Sequence, residues 1–175
     1  MKVIRSVSMS VLGTLCAAGA FAQATGPTDA QIAAIVVTAN QVDIDAGKLA
    51  ESRASSKEVK AFAQRMVTDH GGVNQSAREL VAKLHVTPEP GEVSQSLKKG
   101  GDDNLAALKS LSGATFDKAY VDHEVAYHEA VLDAVDKTLI PSARNAELKA
   151  LLVKVRPAFV AHLEHAKHLQ SSLSQ

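Results

Sequence analysis

Apolar residues recur along this chain at spacings of three and four, the period of amphipathic helices. One stripe runs from Ile32 through Ile35/Val36, Ala39, Val42 and Ala46 to Leu49/Ala50. Thr28 or Asp29 can cap its start. It ends near Ser52–Ser56, where serines can cap a second helix. The second stripe is Val59, Phe62/Ala63, Met66, Val73, Ala77, Leu80/Val81 and Leu84. Gly71-Gly72 interrupt its composition but not its phase. The spacing therefore predicts one helix running through the glycines, each costing about 1 kcal/mol relative to Ala. The alternative is that Gly71 ends the helix as a left-handed cap.

The stretch VTPEPGEVSQSLKKGGDDN, with Pro88, Pro90, Gly91, Gly100 and Gly101, reads as a linker, followed by a short helix over Leu105 to Leu111. A third long helix is expected from about Thr115 to Leu139, carrying Phe116, Tyr120, Val121, Val125, Val131/Leu132 and Val135, and stopped by Ile140-Pro141-Ser142. A fourth carries Leu148, Leu151/Leu152, Val155, Phe159, Ala166 and Leu169, with a kink expected at Pro157. No strand alternation persists anywhere. Four long helices with one long connection between the second and third predict an all-α bundle with a crossover, one domain over residues 28–173.

The N-terminus changes the picture. Lys2 and Arg5 precede an apolar run from Val7 to Ala20, and Ala20-Phe21-Ala22 is a small-x-small site. Residues 1–22 are expected to be a secretory signal peptide, leaving a mature chain from Gln23. The single cysteine, Cys16, lies inside that signal and follows Leu15 rather than a small residue, so a lipid anchor is not expected. The mature chain then has no thiol chemistry. No later segment is apolar enough to cross a bilayer. Subtracting Lys2 and Arg5 from the 19 basic residues leaves 17 against 19 acidic ones. Such a balance supplies no basic face for nucleic acid. The expected location is the periplasm, free or held in the envelope by a protein partner.

The candidate chemistry lies on the apolar stripes. Asp43 adjoins Val42, Asp69 and His70 follow Met66, His128 follows Glu124 by one turn, and His162 follows Phe159. Buried polar groups need partners. At about 1.5 Å per residue, Asp43 and His70 should lie level, within ~3–4 Å. His128 and His162 should differ in depth by roughly 8–13 Å, so that spacing does not bring all three histidines to one site. Imidazoles with carboxylates suit a divalent transition metal; core polar pairs that only fix register are the competing reading. No histidine has an acid three residues before it, so the Glu-x-x-His pattern of di-iron bundles is absent. In HLEHAKH, His165 and His168 read as a solvated helix end or a surface metal grip. No nucleophile elbow, phosphate loop or dinucleotide fingerprint occurs.

The stretches DIDAGKLAESRASSKEVKAFAQRMVTDHGGVN, GATFDKAYVDHEVAYHEA and RPAFVAHLEHAKHL resemble the bacterial domain-of-unknown-function family 4142, over roughly Asp29 to Leu169. Its members often carry the label of an outer membrane protein. The resemblance implies a ferritin-like four-helix bundle and an envelope location, but no activity. The family's recurring polar positions fall on Asp69, His70, His128 and His162, and Asp43 stands where Glu is commoner. The expected function is thus an exported bundle that binds a transition metal through Asp43, Asp69, His70, Glu124, His128 and His162. The alternative is an envelope interaction module without metal. Neither reading names a reaction.

Overall fold

The computed structural model describes residues 26–174; the expected signal peptide and cleavage site lie outside the described residues. The chain forms α1 (Asp29–Arg53), α2 (Lys57–Lys83), α3 (Glu92–Lys109) and α4 (Gly113–Ala134). A π-helical segment (Val135–Leu139) and a last turn α5 (Ile140–Ser142) prolong α4, and α6 (Ala146–Leu173) completes the fold. Among the described residues there is no strand. The bundle pairs α1 with α2 and α4 with α6, and the two pairs meet along α2–α6 and α1–α4.

Local chemistry sets the helix starts. Thr28 caps α1 in a capping box with Gln31, Ser56 caps α2 and Asn145 caps α6. Two buried or partly buried carboxylates hold the hairpin turns from across the bundle. Asp117 on α4 accepts from the backbone N–H of Ser55 and of Ser56 and from the Ser55 hydroxyl. Asp29 on α1 accepts from the N–H of Arg144 and of Asn145. Each hairpin turn is thus clamped by the other hairpin, with charge-assisted hydrogen bonds that are stronger than neutral ones.

As the in-phase stripe predicts, α2 passes through Gly71-Gly72 without a break. A side chain at either glycine would meet nothing within 4 Å, so they do not admit a neighbouring helix.

The crossover corrects the sequence reading. Residues Glu92–Lys109 form a continuous helix rather than a linker with a short helix, so the described residues form five long helices, not four. Its inward stripe is Ser94, Leu97, Gly101, Leu105 and Leu108, and Gly101 replaces an apolar side chain for a steric reason. A Cβ there would lie 2.7 Å from Val42 Cγ2, so the glycine lets α3 lie close on α1. The outer face is stapled by Lys98–Asp102 and Lys99–Asp103 at i,i+4, pairs worth a few tenths of a kcal/mol each.

The core is divided. Phe62, Met66, Phe116, Tyr120, Val121 and Leu163 belong to one apolar cluster at the α1–α2 turn end. Ile32, Ile35, Val135, Leu139, Leu148 and Leu152 belong to another at the opposite end. Along α1, α2, α4 and α6 the chain passes from one cluster to the other through buried polar residues.

Candidate metal centre

Helical spacing puts two polar groups on the inward face of three helices and one on the fourth. α1 supplies Asn40 and Asp43, α2 His70 and Asn74, α4 Glu124 and His128, and α6 His162; all are almost fully buried. The structure brings together one donor atom each from His70, His128 and His162 within 4.8 Å of one another, and likewise from Asp43, Glu124 and His128. The ring centroids of the three histidines stand 5.1–5.6 Å apart. Phe159 stacks on His70 at 5.2 Å and 9°.

Asp43 and His70 are level, as expected, with Oδ2 and Nε2 3.5 Å apart. The expected separation of His128 and His162 in depth is wrong. It rests on a helix that ends at Leu139, with Ile140-Pro141-Ser142 as the stop. The chain instead stays helical to Ser142, and the turn falls between Ser142 and Ala146. Pro141 lies in the last turn, directly after the π segment. Just before it, the Ile140 N–H bonds back five residues to Val135 O in the π segment. From that later turn the two histidines are nearly equidistant and meet.

The hydrogen bonds fix the proton on each ring. Asn40 donates through Nδ2 to Val36 O at 2.8 Å, so its Oδ1 faces His70. That oxygen can only accept, so His70 Nδ1 donates to it, at 2.7 Å, and Nε2 carries a bare lone pair. His128 Nδ1 donates to Glu124 O at 2.9 Å, and His162 Nε2 donates to Asp69 Oδ2 at 2.8 Å. The remaining nitrogens, His70 Nε2, His128 Nε2 and His162 Nδ1, are buried without a hydrogen-bond partner, while the Glu124 carboxyl lies against Asp43 and Tyr120. So many orphaned groups in one spot require a cause, because each costs about 1–3 kcal/mol.

Electrostatics keep the rings neutral. Burial holds His70 well below the usual imidazole range, helped by His128 and His162. Burial pushes His128 down to about 4. It also lowers His162, against the pull of Asp69. Burial raises Asp43 and Glu124 well above ordinary carboxylates, and the Asp43 charge adds to the effect on Glu124.

Asp69 is the one expected ligand that stands outside. Its side chain is 37% exposed and also pairs with Arg65 at 3.2 Å. Burial would raise its pKa, but the hydrogen bonds from His162 and Arg65 outweigh that and lower it. It orients His162 instead of facing the centre. Asn40 and Asn74 escaped the sequence reading. The signal was available, since Asn40 precedes Asp43 by three residues and Asn74 follows His70 by four. His165 packs edge-on against Phe62 at 5.1 Å and does not join the cluster.

No curated protein and no solved structure matches the chain. A family model described as a domain of unknown function, DUF4142, matches residues 14–169. The chain belongs to the DUF4142 family.

Proposed function

We propose that this chain is an exported envelope protein whose bundle binds one divalent transition metal through His70, His128 and His162, with Asp43 and Glu124 supplying carboxylate oxygen. The observation that carries the reading is the protonation pattern. All three rings give their N–H to an outer acceptor and leave a buried lone pair without a hydrogen-bond partner. Metal-bound histidines characteristically have this second-shell support, which fixes tautomer and ring orientation. A set of polar pairs that served only register would satisfy its own members.

Metal–nitrogen distances of about 2.0–2.1 Å place imidazole nitrogens roughly 3–3.5 Å apart in such a five-donor site. Donors now within 4.8 Å would close on the ion by small side-chain rotations. Neutral imidazoles suit Zn, Fe, Ni or Cu, and a bound cation would favour ionisation of the carboxyls that burial pushes up. Export is supported by the charged start, the apolar run and the small-x-small site at Ala20–Ala22.

The test is elemental analysis of untagged protein purified from the periplasm. One equivalent of a transition metal is expected in the wild type and none in His70→Ala. A folded wild type with no metal as purified, and none taken up on reconstitution, overturns the reading. Sequencing the N-terminus of the same sample should give Gln23.

A further inference from the structure

A cavity of about 610 Å³ runs from the helix ends near Pro27 and Glu92 to the polar cluster, and its lining includes Asp43 and His70. This is the size of a small-molecule site. Along α1 its lining extends from Gln31 to Asp43, about 18 Å at 1.5 Å per residue. Its walls are mostly apolar, with Ile35, Val131, Leu139, Leu152 and Phe159 among them. Several polar groups on the wall are already engaged. The Tyr127 hydroxyl donates to Ala39 O at 3.1 Å, the Ser94 hydroxyl donates to Gly91 O at 3.0 Å, and the Asn40 side chain bonds both Val36 O and His70. The acids of the lining are Asp43 at the inner end and Glu92, exposed, at the mouth, and no lysine or arginine lines it.

We infer that the cavity takes an uncharged aliphatic ligand, a medium-length hydrocarbon chain laid along the apolar walls with no ionised group at its inner end. The chain follows from the walls, which offer burial and few free hydrogen-bonding groups. The absence of charge follows from the two ends. An anion would meet Asp43 inside and Glu92 at the mouth, with no basic side chain in the lining to pair with. A cation would give up its water for one inner carboxyl, which burial biases towards its neutral form and which already lies 3.5 Å from His70 Nε2. Glu92 is solvated, and an exposed pair with it adds little. The inference goes beyond the metal reading and does not depend on it. A bound divalent ion would occupy Asp43 and His70, and its charge would be cancelled by the Asp43 and Glu124 carboxylates.

The test adds phenylnaphthylamine, an uncharged probe that brightens in apolar surroundings, to the mature protein as purified. The expected result is saturable binding at one site per chain. Butanol, hexanol, octanol and decanol should displace the probe with affinity rising about fourfold per buried methylene. Decanedioate and diaminodecane carry a charge at each end of a similar chain, so one charge must enter whichever end leads. Each should displace the probe at least about 100-fold less well than decanol. Ala39→Phe places a ring one turn before Asp43 on the cavity wall and should abolish the dependence on chain length. Ala134→Phe, further along the wall, makes the same test if the first variant does not fold. No saturable probe binding, equal affinity for butanol and decanol, or a folded variant that keeps the wild-type series overturns the cavity as the site. Decanedioate or diaminodecane binding as tightly as decanol overturns the uncharged class. Metal content enters none of these readouts, so this inference and the metal reading fail separately.

Discussion

Asp69 Oδ2 lies 2.8 Å from His162 Nε2, with the imidazole fully buried and the carboxylate 37% exposed. The contact joins solvent to the centre of the bundle through one ring, whose far nitrogen has no partner. Asp69→Ala should therefore weaken metal binding by about 10–100-fold without abolishing it, as loss of an outer partner typically does. His162→Ala should remove the site. Competition against a chromogenic chelator measures both. An unchanged affinity in Asp69→Ala would show that the contact does not support a ligand.

His70→Ala separates the metal site from a structural pair. Wild-type protein at free metal 100 times Kd should gain about 2.7 kcal/mol, and His70→Ala should gain none. Without metal the substitution should still cost roughly 1–3 kcal/mol, because Asn40 Oδ1 loses its buried donor. Chemical denaturation with and without chelator reads both effects. A variant stabilised by metal as strongly as wild type would remove His70 from the site.

The two diglycine pairs should respond differently. Gly71→Ala meets no atom within 4 Å inside a continuous helix, so it should be neutral or stabilise by up to about 1 kcal/mol. Gly100→Ala is equally open. Gly101→Ala drives a methyl into Val42 and should destabilise by about 1–3 kcal/mol. Similar urea midpoints for Gly100→Ala and Gly101→Ala would mean that α3 does not lie against α1 as described.

The metal-free protein should be sensitive to acid. Unfolded histidines titrate near pH 6.5, whereas burial lowers His70 and His162 and holds His128 at about 4. Between those values the unfolded chain takes up protons that the folded chain refuses, so this contribution falls as pH drops from about 6.5 to 4. For His128 the loss is on the order of 3 kcal/mol. Asp43 and Glu124 act in the opposite sense. Their raised folded pKa values make their contribution full below about pH 4 and progressively lost as pH rises through the raised values. Urea titrations in chelator from pH 4 to 8 should show a shallower acid limb in His128→Gln and a shallower loss with rising pH in Asp43→Asn. Superimposable pH profiles for wild type and both variants would contradict the buried placement.

The long helices were legible because their stripes are uninterrupted, and Asp43 with His70 because a short turn separates them. α3 was not. Its stripe depends on a glycine at 101 and a serine at 94, which carry no apolar signal, and KKGGDD reads as a linker unless its i,i+4 charge pairs are weighed. The joining of His128 to His162 was hidden by Pro141, since proline usually ends a helix and nothing in the sequence announces a π turn. Asn40 was hidden because an amide carries no charge and forms no motif. Only its position one turn before Asp43 marks it.

The division of the core into two apolar clusters bears on how the molecule comes apart. A band of orphaned polar groups transmits little packing energy from Phe62 and Met66 at one end to Ile32 and Leu152 at the other. Without metal, the two ends are expected to behave as two cooperative units, which amide exchange should resolve as separate protection classes. A cation gripped by α1, α2, α4 and α6 at the band would tie four helices at one point and merge the classes. The same residues would then decide whether the bundle opens as halves or as a whole.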